Sequence, residues 1–400
     1  MTTHTGEALP TAASIQATAA PPANWSGVFA MSLCVFALIA SEFMPVSLLT
    51  PIATDLLASE GMAGQGIAIS GALAVLTSLS ISMLAGGMNR KTLLIGLTTL
   101  MAVSGVVVAL APNYLIYMLG RALIGVVIGG FWSLSAATAM RLVPVAKLPR
   151  ALAIFNGGNA LAMVIAAPLG AYLGSVMGWR GAFFCLVPLA TVALVWQWIS
   201  LPDMPAQEHA PGSGNVFNVL KNRTVALGIF MGQFVLFTYV RPFLETVTQV
   251  GVSTLSLILL AIGIAGFIGT ALIGFMLNRG LYKVLVVTPL LMAVIAVALI
   301  FFGTWMAAVA TLLGLWGLLA TAAPVAWWSW VADVMPDQAE AGGGLMVAVI
   351  QLSIALGSTL GGLLFDSAGY QSAFGASALV LLFAALLAFL TSRVQPGEVA

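Results

Sequence analysis

Runs of about twenty apolar residues, each closed by a charge, a proline or an Asn/Gly turn, recur along nearly the whole 400-residue chain. A helix needs that length to cross about 30 Å of hydrocarbon, where helices and closed barrels alone satisfy their backbone. Cutting at the breaks leaves twelve segments, near 27–49, 64–86, 92–110, 114–139, 151–174, 181–200, 224–247, 254–277, 284–303, 305–331, 342–365 and 371–392. With 61% apolar and 6% charged side chains, too little polar surface remains to coat a water-soluble particle. The expected fold is an all-α polytopic membrane protein with twelve transmembrane helices.

The placement of the few charges is informative. A net charge of +1 lacks the basic footprint of a nucleic-acid binder. Cys34 and Cys185 fall inside apolar runs, and His4 and His209 in a polar tail and a polar linker. No disulfide framework, metal site, Ser-His hydrolase or phosphate-cradling loop is legible, so neither an enzyme nor a bound cofactor is expected. Residues 1–23 are rich in Ala, Thr and Pro without Lys or Arg, and read as a disordered cytoplasmic tail. With the N-terminus inside, Arg90, Lys91, Arg141, Lys147, Arg150, Lys221, Arg223, Arg279, Lys283 and Arg393 all fall on the cytoplasmic side. Arg180 sits outside with Asp55, Glu60 and Asp366, a strong positive-inside bias.

The polar stretch from Leu201 to Asn222 separates two sets of six spans. It sets the expected boundaries: a half over 24–200, a cytoplasmic linker over 201–223, a second half over 224–393, and a tail over 394–400. Leu169-Gly170, Gly178-Trp179 and Phe183 return as Leu360-Gly361, Gly369-Tyr370 and Phe374 at one offset of 191 residues. A basic turn follows the second span (Gly86 to Lys91) and the eighth (Asn278 to Lys283).

Charges at membrane depth are expensive and call for a function with a named partner. Glu42 lies about 23 Å from the cytoplasmic end of the first span, and Arg121 about 10 Å below the outer surface in the fourth, at nearly the same depth. Burial favours the neutral acid and a neighbouring cation favours the carboxylate, so Glu42 is the candidate proton carrier and Arg121 the residue that sets its ionisation. A permanent structural ion pair is the competing reading. Arg241 and Glu245, at i,i+4 around Pro242, form a candidate gate or ion pair. Asn159, Gln233 and Gln351, with Asn156, offer donors and acceptors to a neutral solute, and Phe234, Phe237 and Tyr239 offer rings to a planar one. Interhelical hydrogen bonding competes for the amides. Trp132, Trp327, Trp328 and Trp330 read as an aromatic belt, and the glycines of Gly125–Phe131, Ala167–Gly174 and Leu356–Gly362 as close helix packing.

Two six-helix halves with basic turns after their second helices resemble the major facilitator superfamily, in which the halves rock about a central cavity. NWSGVF (Asn24 to Phe29), the run from Glu42 to Pro51, GGFWSLSA (Gly129 to Ala136), MRLVP (Met140 to Pro144) and FTYVRP (Phe237 to Pro242) are similar to its drug/metabolite:proton antiporters. Within these they resemble the purine ribonucleoside exporters, and PVAWWSWV (Pro324 to Val331), DQAEAGG (Asp337 to Gly343) and VAVIQL (Val347 to Leu352) extend the likeness into the second half. The resemblance implies proton-coupled efflux of inosine and guanosine by alternating access. It implies a bacterial inner-membrane protein whose partners are a nucleoside-like solute, protons and lipid, with no nucleic acid; cytoplasmic termini are expected from the charge bias, and a monomer is the expected state. It matches the family's fourth-span arginine to Arg121, its first-span carboxylate to Glu42 and its fifth-span Gly-Pro to Ala167-Pro168. The loop after the second span departs from the family: where an Asp-Arg pair followed by Gly-Arg-Arg/Lys usually stands, it reads Gly86-Gly87 and then Met88-Asn89-Arg90-Lys91, without the acidic member. Asn89, Arg90 and Lys91 are the candidate cytoplasmic gating loop. Export of sugars or drugs, and a transport-dead receptor or scaffold, are the alternatives.

Overall fold

The structure, a computed structural model, describes residues 23–84, 87–144, 147–205, 231–277, 280–334, 339–391 and 393. Twelve helical elements run through them: α1 (Trp25–Asp55), α2 (Glu60–Leu84), α3 (Arg90–Ala109), α4 (Tyr114–Leu142), α5 (Leu148–Phe184), α6 (Leu186–Ser200), α7 (Gly232–Phe237), α8 (Val240–Thr246), α9 (Val252–Leu277), α10 (Leu281–Phe302), α11 (Met306–Val334) and α12 (Ala339–Thr391). The two tails, most of the 201–223 linker, the start of the seventh span and the side chains of Asn156, Trp327, Trp328 and Trp330 lie outside the described residues.

Among the described residues, eight helical stretches are long and apolar enough to cross a membrane, and two of these, over Arg150–Ser200 and Val347–Leu390, have the length of two crossings. Each doubles back at one glycine. Gly178 takes φ 75°, ψ 165° and Gly369 φ 77°, ψ −178°, a region that a residue with a Cβ adopts only under strain. These are the glycines related by the 191-residue offset, so the repeat is one of conformation as well as of letters. In both halves the aromatic after the glycine meets a phenylalanine one turn on, edge to face: Trp179 and Phe183 at 6.3 Å, Tyr370 and Phe374 at 5.8 Å. The loops expected at 175–180 and 366–370 thus shrink to a single residue each.

Three helices of the first half, α1, α3 and α4, start on asparagines. Asn24, Asn89 and Asn113 accept from the backbone N–H of Gly27, Lys91 and Ile116 at 2.9, 2.9 and 3.0 Å, satisfying donors that a first turn leaves orphaned. The seventh span is broken. α7 ends and α8 begins around Thr238–Tyr239, four residues before Pro242, because the proline ring lacks the N–H that would return to the Thr238 carbonyl. The break therefore falls one turn earlier than the proline itself. Asp55 and Glu60, expected in a loop, close α1 and open α2.

Within the first half α1 packs on α5 and α2 on α4; within the second, α9 packs on α11 and α10 on α12. α2 against α12, and α5 against α9, join the halves. The glycines predicted to allow close approach do so: a Cβ on Gly361 would stand 2.6 Å from the Val235 carbonyl, and one on Gly170 would stand 2.9 Å from Met44 Cγ.

Candidate functional site

Two prolines, Pro45 and Pro51, lie inside α1. Each lacks the N–H that would bond four residues back, freeing the carbonyls of Ser41 and Ser47, and a buried carbonyl needs a donor. Both donors are arginines from other helices. Arg121 Nη1 donates to the Ser41 carbonyl at 2.6 Å, and Arg241 Nη1 donates to the Ser47 carbonyl. Arg121, 1% exposed, spends its other donors on the Gly66 carbonyl at 3.0 Å, the Glu42 carbonyl at 3.1 Å and Ser70 Oγ at 3.1 Å. Four acceptors from α1 and α2 thus receive one guanidinium of α4, a planar fork that suits such a task. Arg121 meets Glu42 through the backbone oxygen; the two side chains form no ion pair among the described residues.

The Glu42 carboxylate turns instead to the second half, where Gln351 Nε2 of α12 donates to Oε1 at 3.2 Å. Both side chains are buried, and Gln351 Oε1 has no hydrogen-bond partner among the described residues. Further contacts between the halves lie beyond Glu42, toward the end of the bundle that carries Asp55, Glu60 and Asp366. Arg241 reaches Ser47, and Thr359 Oγ1 donates to Gln65 Oε1 at 3.1 Å. Asp366 accepts from the Gly61 N–H at 2.9 Å and from the Ser59 hydroxyl, so a carboxylate of one half caps the first turn of α2 in the other. This acidic end is closed, and Glu42 stands at the inner limit of the closure.

The remaining predicted residues divide between closure and interior. Arg241 and Glu245 pair, Nη2 to Oε1 at 2.7 Å, while Glu245 Oε2 is buried without a partner among the described residues. Tyr239 is fully buried; its hydroxyl donates to the Ser358 carbonyl at 2.8 Å and its ring stacks on Phe365 at 5.4 Å. It leaves no face for a solute in this conformation and belongs to the seal. Gln351 likewise has its amide nitrogen taken by Glu42. Gln233 and the half-buried Asn159 make no side-chain hydrogen bond among the described residues, Phe234 is 8% exposed and Phe237 is half-buried. Asn89 caps α3 and also accepts from the Met204 N–H at 3.2 Å, while the Arg90 N–H donates to the Met204 carbonyl at 2.8 Å. The loop of Asn89, Arg90 and Lys91 thereby holds the chain leaving α6.

Sequence reasoning missed Phe43, whose ring stacks on Phe234 at 6.4 Å with 20° between planes. It also missed the capping role of Asp366 and the freed carbonyls of α1. The last were findable, because a proline within a span names the carbonyl it releases.

A Major Facilitator Superfamily model matches residues 31–358. The chain belongs to this superfamily. It is therefore a multi-pass secondary transporter and not an enzyme. It is 67% identical over 379 residues to the "Transcription regulatory protein OpdE" of Pseudomonas aeruginosa, covering 92% of this chain and 94% of that one. It is 38% identical over 379 residues to the "Purine ribonucleoside efflux pump NepI" of Salmonella typhimurium, covering 93% and 95%. Among solved structures, a D-xylose-proton symporter aligns with TM-score 0.75 at 16% identity, over 92% of this chain and 97% of that one. A nucleoside transporter, NupG, aligns with TM-score 0.70 at 15% identity, over 92% and 98%. Both share the superfamily's fold.

Proposed function

We propose that this chain exports purine ribonucleosides in exchange for protons by alternating access, from the cytoplasm of a bacterium across its inner membrane. The observation that carries the reading is the buried Glu42 carboxylate at the meeting of the two halves, held by an amide from the half it does not belong to. A carboxylate so placed changes its bond to Gln351 when it gains a proton, and that bond spans the halves. Arg121 supplies a fixed positive charge behind the Glu42 backbone. The basic residues Arg90, Lys91, Arg141, Lys147 and Arg150 support reading their end of the bundle as cytoplasmic and this conformation as closed outward. The solute class rests on the likeness to the ribonucleoside efflux pumps.

The test is labelled-inosine flux into proteoliposomes under an imposed pH gradient, repeated with a protonophore. Accumulation that vanishes with the gradient upholds both substrate and coupling, whereas no inosine movement by folded protein removes the nucleoside assignment. Glu42→Gln is expected to abolish gradient-driven flux while retaining exchange of bound solute. Unchanged gradient-driven flux would assign Glu42 to packing.

The name of the 67% identical relative favours a second reading, in which the chain alters transcription. With 6% charged residues and described helices that pack as membrane spans, such an effect would act through the membrane and not on DNA directly. Glu42→Gln separates the two: a transcriptional effect that survives loss of transport marks a sensor, and one lost with it marks a consequence of solute movement.

A further inference from the structure

We infer that Phe43 and Phe234 form a clasp for the planar ring of the transported solute, one jaw from each half. The inference rests on the nucleoside reading above and names the residues that take the base.

The two phenylalanines stand 191 residues apart, each directly after a polar residue, Glu42 in α1 and Gln233 in α7. The same offset relates Gly178 to Gly369, Gly170 to Gly361 and Pro51 to Pro242. Phe43 and Phe234 therefore hold equivalent positions in the repeat, and they meet where the halves meet, rings nearly parallel at 6.4 Å. Phe43 is only partly buried and packs on the apolar cores of both halves. Contacts through Ser47, Gln65 and Asp366 close the acidic side of this pair, so it lies at the bottom of whatever opens toward the basic end.

A third ring between two others needs about 7 Å, two contacts of roughly 3.5 Å each. The centroids stand 6.4 Å apart with 20° between the planes, and because the jaws ride on opposite halves, rocking of the halves changes the space between them. With solute bound, the two rings lie on either face of the base. Polar residues adjoin both jaws in the sequence. Gln233 has a free amide among the described residues, and Glu42 with Gln351 supplies an acid and a second amide. Donor and acceptor side by side on an amide match the edge of a heteroaromatic ring better than the rim of a sugar. Aromatic faces stack on bases of any sequence, which fits an exporter of several nucleosides.

The experiment compares Phe43→Leu and Phe234→Leu with Phe43→Tyr and Phe234→Tyr in inosine flux. Leucine keeps an apolar side chain but no ring face. Each leucine variant is expected to raise the half-saturating inosine concentration about tenfold or more, and each tyrosine variant to stay within about threefold of the parent, as base stacking predicts. Leucine variants with parental half-saturation, or tyrosine variants as impaired as leucine, would overturn the clasp. If the parent moves no inosine, the nucleoside reading fails on its own. The clasp is then decided by emission of Phe43→Trp above the parent background, titrated with purine nucleosides, free bases and ribose. Quenching by planar heteroaromatics and not by ribose upholds it; no response to any of them overturns it.

Discussion

Ser41 and Ser47 show how two prolines reorganise a buried helix without breaking it. Their released carbonyls attract guanidinium groups, and charge-assisted hydrogen bonds of this kind contribute about 1.5–3 kcal/mol each. Arg121→Lys is expected to destabilise the detergent-solubilised protein by about 2–4 kcal/mol, since an ammonium cannot serve four acceptors spread over two helices. Pro45→Ala restores the N–H that Ser41 lacks. A thermal-stability cycle of Pro45→Ala with Arg121→Ala should therefore show coupling of about 0.5–3 kcal/mol. Additivity would mean that Arg121 is retained for its charge and not for that carbonyl. These bonds were only half legible in the sequence. Glu42 and Arg121 stood out as buried charges at one depth, but a matched depth is silent on which atom of Glu42 is touched. Carbonyl acceptors carry no letter of their own, and every residue has one.

Elements were the most legible level, because a run of twenty apolar residues has few folded alternatives in a bilayer. The twelve expected spans each have a helical counterpart among the described residues, displaced at the ends by a few residues. The differences are local. Asp55 and Glu60 were placed in a loop on charge alone, whereas helices extend until their ends meet a cap or a turn. The two hairpins were expected to need several residues and use one, since a glycine with positive φ reverses the chain inside a continuous helical stretch. Gly178→Ala and Gly369→Ala are each expected to lower stability by about 1–3 kcal/mol through backbone strain alone, nothing standing within 4 Å of the added Cβ. Equal losses at both, read as shifts in thermal midpoint, would mark them as equivalent hinges. A loss at one alone would confine the repeat to appearance.

The whole molecule is closed at its acidic end, and that closure joins unlike partners: an arginine on a carbonyl, an aspartate on a helix start, a tyrosine against glycines. Asp366→Ala removes the cap that α12 gives α2 and should loosen this end by about 1 kcal/mol. A Thr50→Cys reporter, with exposed Cys185→Ser, should then react several-fold faster with an impermeant maleimide. An unchanged rate would mean that Arg241 and Tyr239 close the end without Asp366. Glu42 and Gln233, equivalent in the repeat, make the two halves alike in shape and unlike in charge. A machine built from a doubled unit has kept an ionisable acid in one copy and its neutral amide in the other. With Glu42 as the carrier, each turn of the cycle exchanges one proton for one neutral solute, and a gradient of one pH unit, about 1.4 kcal/mol, sustains at most a tenfold solute ratio. Each 100 mV of membrane potential adds about 2.3 kcal/mol, because that exchange moves net charge. On the proposed coupling, the ceiling on how far the solute can be pumped is set by a difference of one amide nitrogen between two equivalent positions, and Gln233→Glu is the change expected to raise it.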